Sequence, residues 1–344
     1  LPLAGLALGS LALAWGGCGT GPADDDDSGD DDDSAGVCIP CQGDVEISDP
    51  QQLSDALPCE SIAGDLSISD GGEAFTALLP LSCLVSVAGD LRIRSNVGLL
   101  SLVGLEGLTG VGGDVNVSFN SALAGLDGLS GLRSVDGGVF ISSNPALTSV
   151  AGLSGLGDLV GDLDINRNDA LGSLAGLEGV TQVDGDLRLR DNEALASIEA
   201  LSNLQLAGED VSVERNPALV SLAGFAALQS IGRDLDISGN DLLADLGGLD
   251  SLAEVSGDLR FMNNAAMLSL DGAPLLTTVV STLTVAGNPV ITDIDGLLTI
   301  TTPLEGLRVH DNDSLCQSYA ETTAAQLAVT TPVEVYDNGG DCSR

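Results

Sequence analysis

The chain has 344 residues and a formal net charge of −40, with arginine supplying all eleven of its basic side chains. Such a field repels nucleic acid and anionic membrane surfaces and favours solubility, and a single histidine, His310, leaves no second imidazole for a histidine-built metal centre or triad. Hydrophobic residues make up 44% but aromatics only 2%, so the interior is filled by Leu, Ile, Val and Ala in thin layers.

Residues 1–17 are an apolar run followed at once by Cys18. The run is short for a membrane span and reads as the apolar region of an export signal. Ala14-Trp15-Gly16-Gly17-Cys18 resembles a bacterial lipobox, which makes Cys18 the expected lipidated residue, with Trp15 standing where Leu is usual; a cleaved signal without lipid is the alternative. Residues 19–36 hold two runs of four aspartates, Asp24 to Asp27 and Asp30 to Asp33. Like charges extend such a segment and nothing in it offsets the entropy of ordering, so it is expected to be a solvated tether rather than a calcium loop.

From Gly43 one line is written again and again with a period of 24, the mark of a solenoid. The copy at Gly161–Asp184 has a Gly-Asp pair, a short alternation with Leu163 and Ile165 inward, Asn168, and then an apolar residue at every third place: Leu171, Leu174, Leu177, Val180, Val183. Taking the aspartate as marker gives Asp44, Asp65, Asp90, Asp114, Asp162, Asp186, Asp210, Asp234 and Asp258, with Gly138, Thr282 and Gly306 in the same column. Six residues on comes an asparagine column running from Asn96 to Asn312. Alternation of period two predicts one half-buried strand per coil in a long parallel sheet. The triplet spacing with glycines between predicts turn-rich, 3₁₀-like backbone on the return. The asparagines are expected to satisfy backbone N–H and C=O groups along the stack, and each aspartate to accept from nearby turn N–H groups.

A lone coil cannot offset its own ordering entropy, so the array needs stacked neighbours and covered ends. Cys38, Cys41, Cys59 and Cys83 fall in the first coils, where three pairings are open. Cys316 and Cys342 bracket the far end and are expected to pair, around a short helix over 317–328 and a last strand over 333–338 that brings its own ladder asparagine, Asn338. The disulfides and the apolar leader together indicate export. The domain plan is 1–18 signal, 19–36 tether and 37–344 repeat array, the cap occupying 316–344.

Val-x-Gly-Asp-Leu-x-Leu at Val183–Leu189 and Asn-x-x-Leu-x-x-Val at Asn144–Val150 resemble the receptor L-domain family, leucine-rich-repeat relatives found in growth-factor receptors and many bacterial surface proteins. The resemblance spans residues 41–342 and implies a β solenoid, a right-handed β-helix of about twelve to thirteen such coils with one long parallel sheet. It also implies a ligand-contacting surface. The cysteine-rich modules and kinase of the receptors are missing, so signalling does not carry over.

No catalytic constellation, cofactor motif or metal set stands out. Asp162-x-Asp164-x-Asn166-x-Asn168 imitates the start of an EF-hand loop, but Arg167 stands at the needed glycine and Ser173 at the closing acid. The outward columns two, four and five residues past the marker collect Arg92, Arg94, Arg167, Arg188, Arg190, Arg215, Arg260 and Arg308, eight of the eleven arginines. Phe119, Phe140, Asn166, Met262 and His310 share those columns. On so acidic a protein this face is the expected ligand-binding surface, for an extracellular protein or an acidic glycan. Ion pairs between strands, Arg188 to Asp164 and Arg260 to Asp236, are the alternative use. The expectation is a non-enzymatic recognition or adhesion protein, lipid-anchored at the bacterial surface or outer membrane, or else periplasmic or secreted. A structural envelope protein without a specific ligand is the alternative.

Overall fold

The computed structural model describes residues 38–55, 59–339 and 342. The leader, Cys18 and the aspartate tether lie outside the described residues. The repeats form one parallel β solenoid. Thirteen strands, from Val45–Ile47 to Val333–Tyr336, stack into a single sheet in which each strand pairs in parallel with its counterpart one coil away. Leu163 faces Leu187 and Ile165 faces Leu189, and the same register recurs along the array. The inward side chains of one coil, Leu163, Ile165, Leu171, Leu174, Leu177, Val180 and Val183, are all fully buried. On the return arm short 3₁₀ turns such as Asp127–Leu129, Ala151–Leu153 and Glu199–Leu201 deliver one buried side chain each third residue. Gly176 shows how closely the coils approach there: it sits at φ +113°, and a Cβ would lie 2.6 Å from Ala151 Cα.

A second, narrow sheet runs along the return arm of most coils. It comes in two five-stranded blocks, one ending at Ser134–Val135 and the other starting at Gln182–Val183. Beyond Ile39–Cys41 and Cys59–Ile62 its strands have two residues each, and two residues carry no readable period in the sequence. The gap between the blocks falls at Asp158–Leu159. Leu159 bridges forward to Val183, but Ser134–Val135 pairs only backward, with Gly110–Val111. Beside it, Gly137 donates to Gly113 and Gly185 to Gly161, while no bond joins Gly161 to Gly137. Val160, at the gap, is 64% exposed.

Both polar columns are ladders. Each asparagine Oδ1 accepts the backbone N–H of the preceding asparagine, from Asn96 onward at 2.9–3.2 Å. Its Nδ2 donates to a strand carbonyl of the preceding coil at 2.8–3.1 Å. These amides are completely buried, so an unmatched one would carry a full desolvation penalty. Asn338 continues the ladder, accepting from Asn312 Nδ2 at 3.0 Å. The aspartates behave differently from the expected local turn. Each Oδ1 accepts the N–H of the marker residue in the next coil, nine times at 2.7–3.1 Å. They tie coil to coil because that N–H points along the stack.

Three disulfides close the ends: Cys38–Cys83, Cys41–Cys59 and Cys316–Cys342. They place the folded part in an oxidising compartment, extracellular or periplasmic. The C-terminal cap helix spans Gln317–Ala324, shorter than expected because Thr330 returns to the stack by donating to Leu304 O. Among the described residues no helix is long and apolar enough to cross a membrane.

Candidate functional site

The outward columns flank two distinct surfaces. Residues two and four past the marker stand on the flat face of the thirteen-stranded sheet. The residue five past the marker occupies the bend leaving the strand, and that bend is left-handed in every coil from Asp65 onward. Asp70, Ser95, Phe119, Ser143, Arg167, Asp191, Arg215, Asn263, Asp311 and Asp337 hold φ between 51° and 58°, and Gly239 and Gly287 fill the slot elsewhere. For L-residues this region costs about 1–2 kcal/mol, least for Gly, Asn and Asp. The sequence offered a signal in the Asp, Asn and Gly content of that column, but it was missed beneath the arginines.

On the sheet face three arginines are structural clamps. Arg188 Nη1 meets Asp162 Oδ2 at 3.0 Å and its Nη2 meets Asp186. Arg92 bridges Asp65 and Asp90, and Arg260 bridges Asp234, at 2.8 Å, and Asp258. Each joins the markers of two adjacent coils, which relieves the repulsion of carboxylates stacked at the strand spacing of about 4.8 Å. The expected pairs with Asp164 and Asp236 are therefore corrected: the guanidinium leans back along its strand to the markers. Burial works against the charge of Arg260, but the hydrogen bond it donates to Asp234 and the charge of Asp258 outweigh burial and hold Arg260 above its ordinary value.

The remaining face residues divide by partner. Arg190 reaches Asp164 at 3.5 Å, Arg94 donates to Asn116 Oδ1 at 2.9 Å, and Arg308 pairs with Glu334 at 3.2 Å. Asn166 donates to Asp164 Oδ1 at 2.7 Å. Phe140 folds back over Gly138, where a Cβ would lie 2.6 Å from its ring, so the ring occupies the space of the missing marker carboxylate. Met262 is half-buried beside Ala286. His310 stacks on Tyr336 with ring centroids 4.9 Å apart and meets Asp311 Oδ2 through Nδ1 at 2.7 Å.

On the left-handed ridge Arg215 is held by Asp191, at 2.6 and 3.1 Å, and by Glu214 at 2.6 Å. Those bonds raise its pKa and lower that of Asp191. The Arg167 guanidinium has no hydrogen bond or ion pair among the described residues, and the residue is exposed. It lines two shallow clefts that follow the ridge. One, of about 440 Å³, is bounded by Phe119, Ser121, Ser143, Pro145 and Asp169. The other, of about 430 Å³, continues past Asp191, Glu193 and Arg215 to Asp241. A third cleft, of about 450 Å³, lies under the cap helix; there Tyr319 Oη donates to Asp295 at 2.7 Å and accepts the Ile294 N–H at 3.2 Å, fastening the helix to the last coils.

The sheet thus brings the predicted site residues into ordered columns but spends most of their charge internally. No protein-family model matches the chain, and no curated protein matches it.

Proposed function

We propose that this is a non-enzymatic recognition or adhesion protein of the bacterial cell surface, a relative of receptor L-domains. Cys18 carries the lipid anchor and the aspartate tether holds the solenoid away from the surface. The single observation that carries the reading is the contrast between constant inward columns and outward columns that change from coil to coil. A rigid sheet edged by a ridge displays variable side chains from every coil, which is a display surface and not a reaction centre. The clamped arginines present little free positive charge, which shifts the weight from an acidic glycan toward a neutral glycan or a protein. Reversal of outward cations that clamp nothing, Arg94→Glu, Arg167→Glu and Arg308→Glu together, is expected to abolish ligand capture or cell adhesion with circular dichroism unchanged. Full retention sinks the reading. Detergent-phase partition of wild type against Cys18→Ser tests the anchor; equal partition rejects it.

The clamps favour a second reading, a structural envelope protein without a specific ligand, since they use Arg92, Arg188 and Arg260 for coil-to-coil cohesion. Its signature is adhesion untouched by the triple reversal together with envelope defects on deletion of the chain.

A further inference from the structure

The left-handed slot supplies a rule and two violations of it. Nine of its twelve occupants are Asp, Asn, Ser or Gly, small residues that tolerate the bend or hydrogen-bond locally. Phe119, Arg167 and Arg215 are bulky. Arg215 is compensated by its bonds to Asp191 and Glu214. Phe119 is not: its ring is 59% exposed, so it bears the backbone strain without the burial that normally offsets it. Arg167 is not either, having neither burial nor an ion pair among the described residues. Strain that nothing in the fold repays is a pointer to function. The two uncompensated residues line the same cleft, two coils apart, and the slot between them holds the small Ser143.

Chemistry in that notch is amphipathic. An exposed aromatic face stands at one end, hydroxyls of Ser121 and Ser143 beside it, and a guanidinium and a carboxylate, Arg167 and Asp169, at the other. We propose that this notch is a saccharide subsite for a neutral sugar. The apolar face of the ring packs on Phe119, and adjacent ring hydroxyls accept from Arg167 and donate to Asp169. A carboxylated sugar is disfavoured, because Asp169 shares the cleft and the chain carries a net charge of −40. The inference deepens the recognition reading and rests on it.

The test uses the full chain, titrated with cellohexaose, maltohexaose and hexagalacturonate as probes. Expected is binding of a neutral hexasaccharide that is flat between about 50 and about 500 mM salt, weakened about tenfold by Phe119→Ser, the loss of one aromatic contact. Arg167→Ser should weaken it as much, and Arg233→Ala, outside the outward columns and paired with Glu209, should leave it unchanged. Because Ser is already an occupant of the slot, Phe119→Ser should melt no lower than wild type. A lower melting temperature would make the ring structural and overturn the proposal. So would binding unaffected by Phe119→Ser, preference for hexagalacturonate with a steep salt dependence, or no saccharide binding by a protein that still captures a protein ligand. That last outcome leaves the recognition reading standing. Adhesion untouched by the triple arginine reversal, with Phe119→Ser still weakening saccharide binding, would instead sink the wider reading.

Discussion

Two stretches of the same repeat are held together unequally. Between the coils at Asp162 and Asp186 every kind of tie is present: the paired strands, the Asn168–Asn192 rung, the Asp162 carboxylate accepting the Asp186 N–H, the Arg188 clamp and the narrow sheet. The coil at 138–161 lacks three of these. Gly138 offers Asp162 no carboxylate, Phe140 stands where a clamp arginine would be, and the narrow sheet stops at Ser134–Val135. What remains is the main sheet and the buried asparagine rungs, with the Asp114 bond to the Gly138 N–H on one side and the Leu159–Val183 bridge on the other. A solenoid is a chain of nearest-neighbour interfaces, so its weakest interface sets where it opens.

The largest expected effect comes from cutting the surviving rung. Asn168→Ala leaves the Asn144 N–H unmatched in the core and removes the second bond to the Ile141 carbonyl, and should cost about 2 kcal/mol. Denaturant unfolding should then split into two transitions, whereas Asn192→Ala, at the fully tied interface, should keep one. A single transition in both would erase the distinction between the stretches. Without mutation, hydrogen exchange should show the amides of Val160 and Gly161 exchanging at least about tenfold faster than those of Asp184 and Gly185, as expected where about one net hydrogen bond is missing. Equal protection would count against a weak joint.

A gain is expected from repair. Gly138→Asp with Phe140→Arg restores the acceptor for the Asp162 N–H and a clamp to Asp114, and should add about 1 kcal/mol, read as a higher denaturant midpoint. Gly138→Ala alone should not, since its Cβ meets the Phe140 ring.

The smallest effects appear with pH. The carboxyl of Asp65 is lowered by the Asp90 N–H and then by Arg92, and that of Asp191 by Arg215. Their stabilisation is present above the unfolded value of about 3.9 and is lost as pH falls through the folded values. Asp236 has the opposite sign. Burial pushes its carboxyl up, with Glu214 adding to the effect against the Ser238 hydrogen bond. Its charge therefore opposes folding at neutral pH, and this is relieved as pH falls through its raised folded value. Asp236→Asn should raise the melting temperature at pH 7 and lose that advantage below about pH 4. An advantage that persists in acid would refute the assignment.

Much of the solenoid was written in the sequence because its determinants are local and repeated. The 24-residue period, the inward residues at places one and three of the strand, the buried asparagines and the pairing of Cys316 with Cys342 all follow from patterning that recurs or brackets an element. Each copy of a column averages away the noise of the others. The candidate site was legible only as a set of columns. Arg188 looked like a ligand-facing cation because its neighbours in sequence, Leu187 and Leu189, fix only which face it leaves from. Its partners, Asp162 and Asp186, were decided by how far the guanidinium reaches across a strand gap. Likewise Phe119 and Arg167 are 48 positions apart, and only stacking two coils deep makes them walls of one cleft. The sequence by itself determined which residues face inward, since burial follows the backbone period. The tertiary structure alone decided which outward charges are consumed and which remain free, because that depends on distances between side chains that no period encodes.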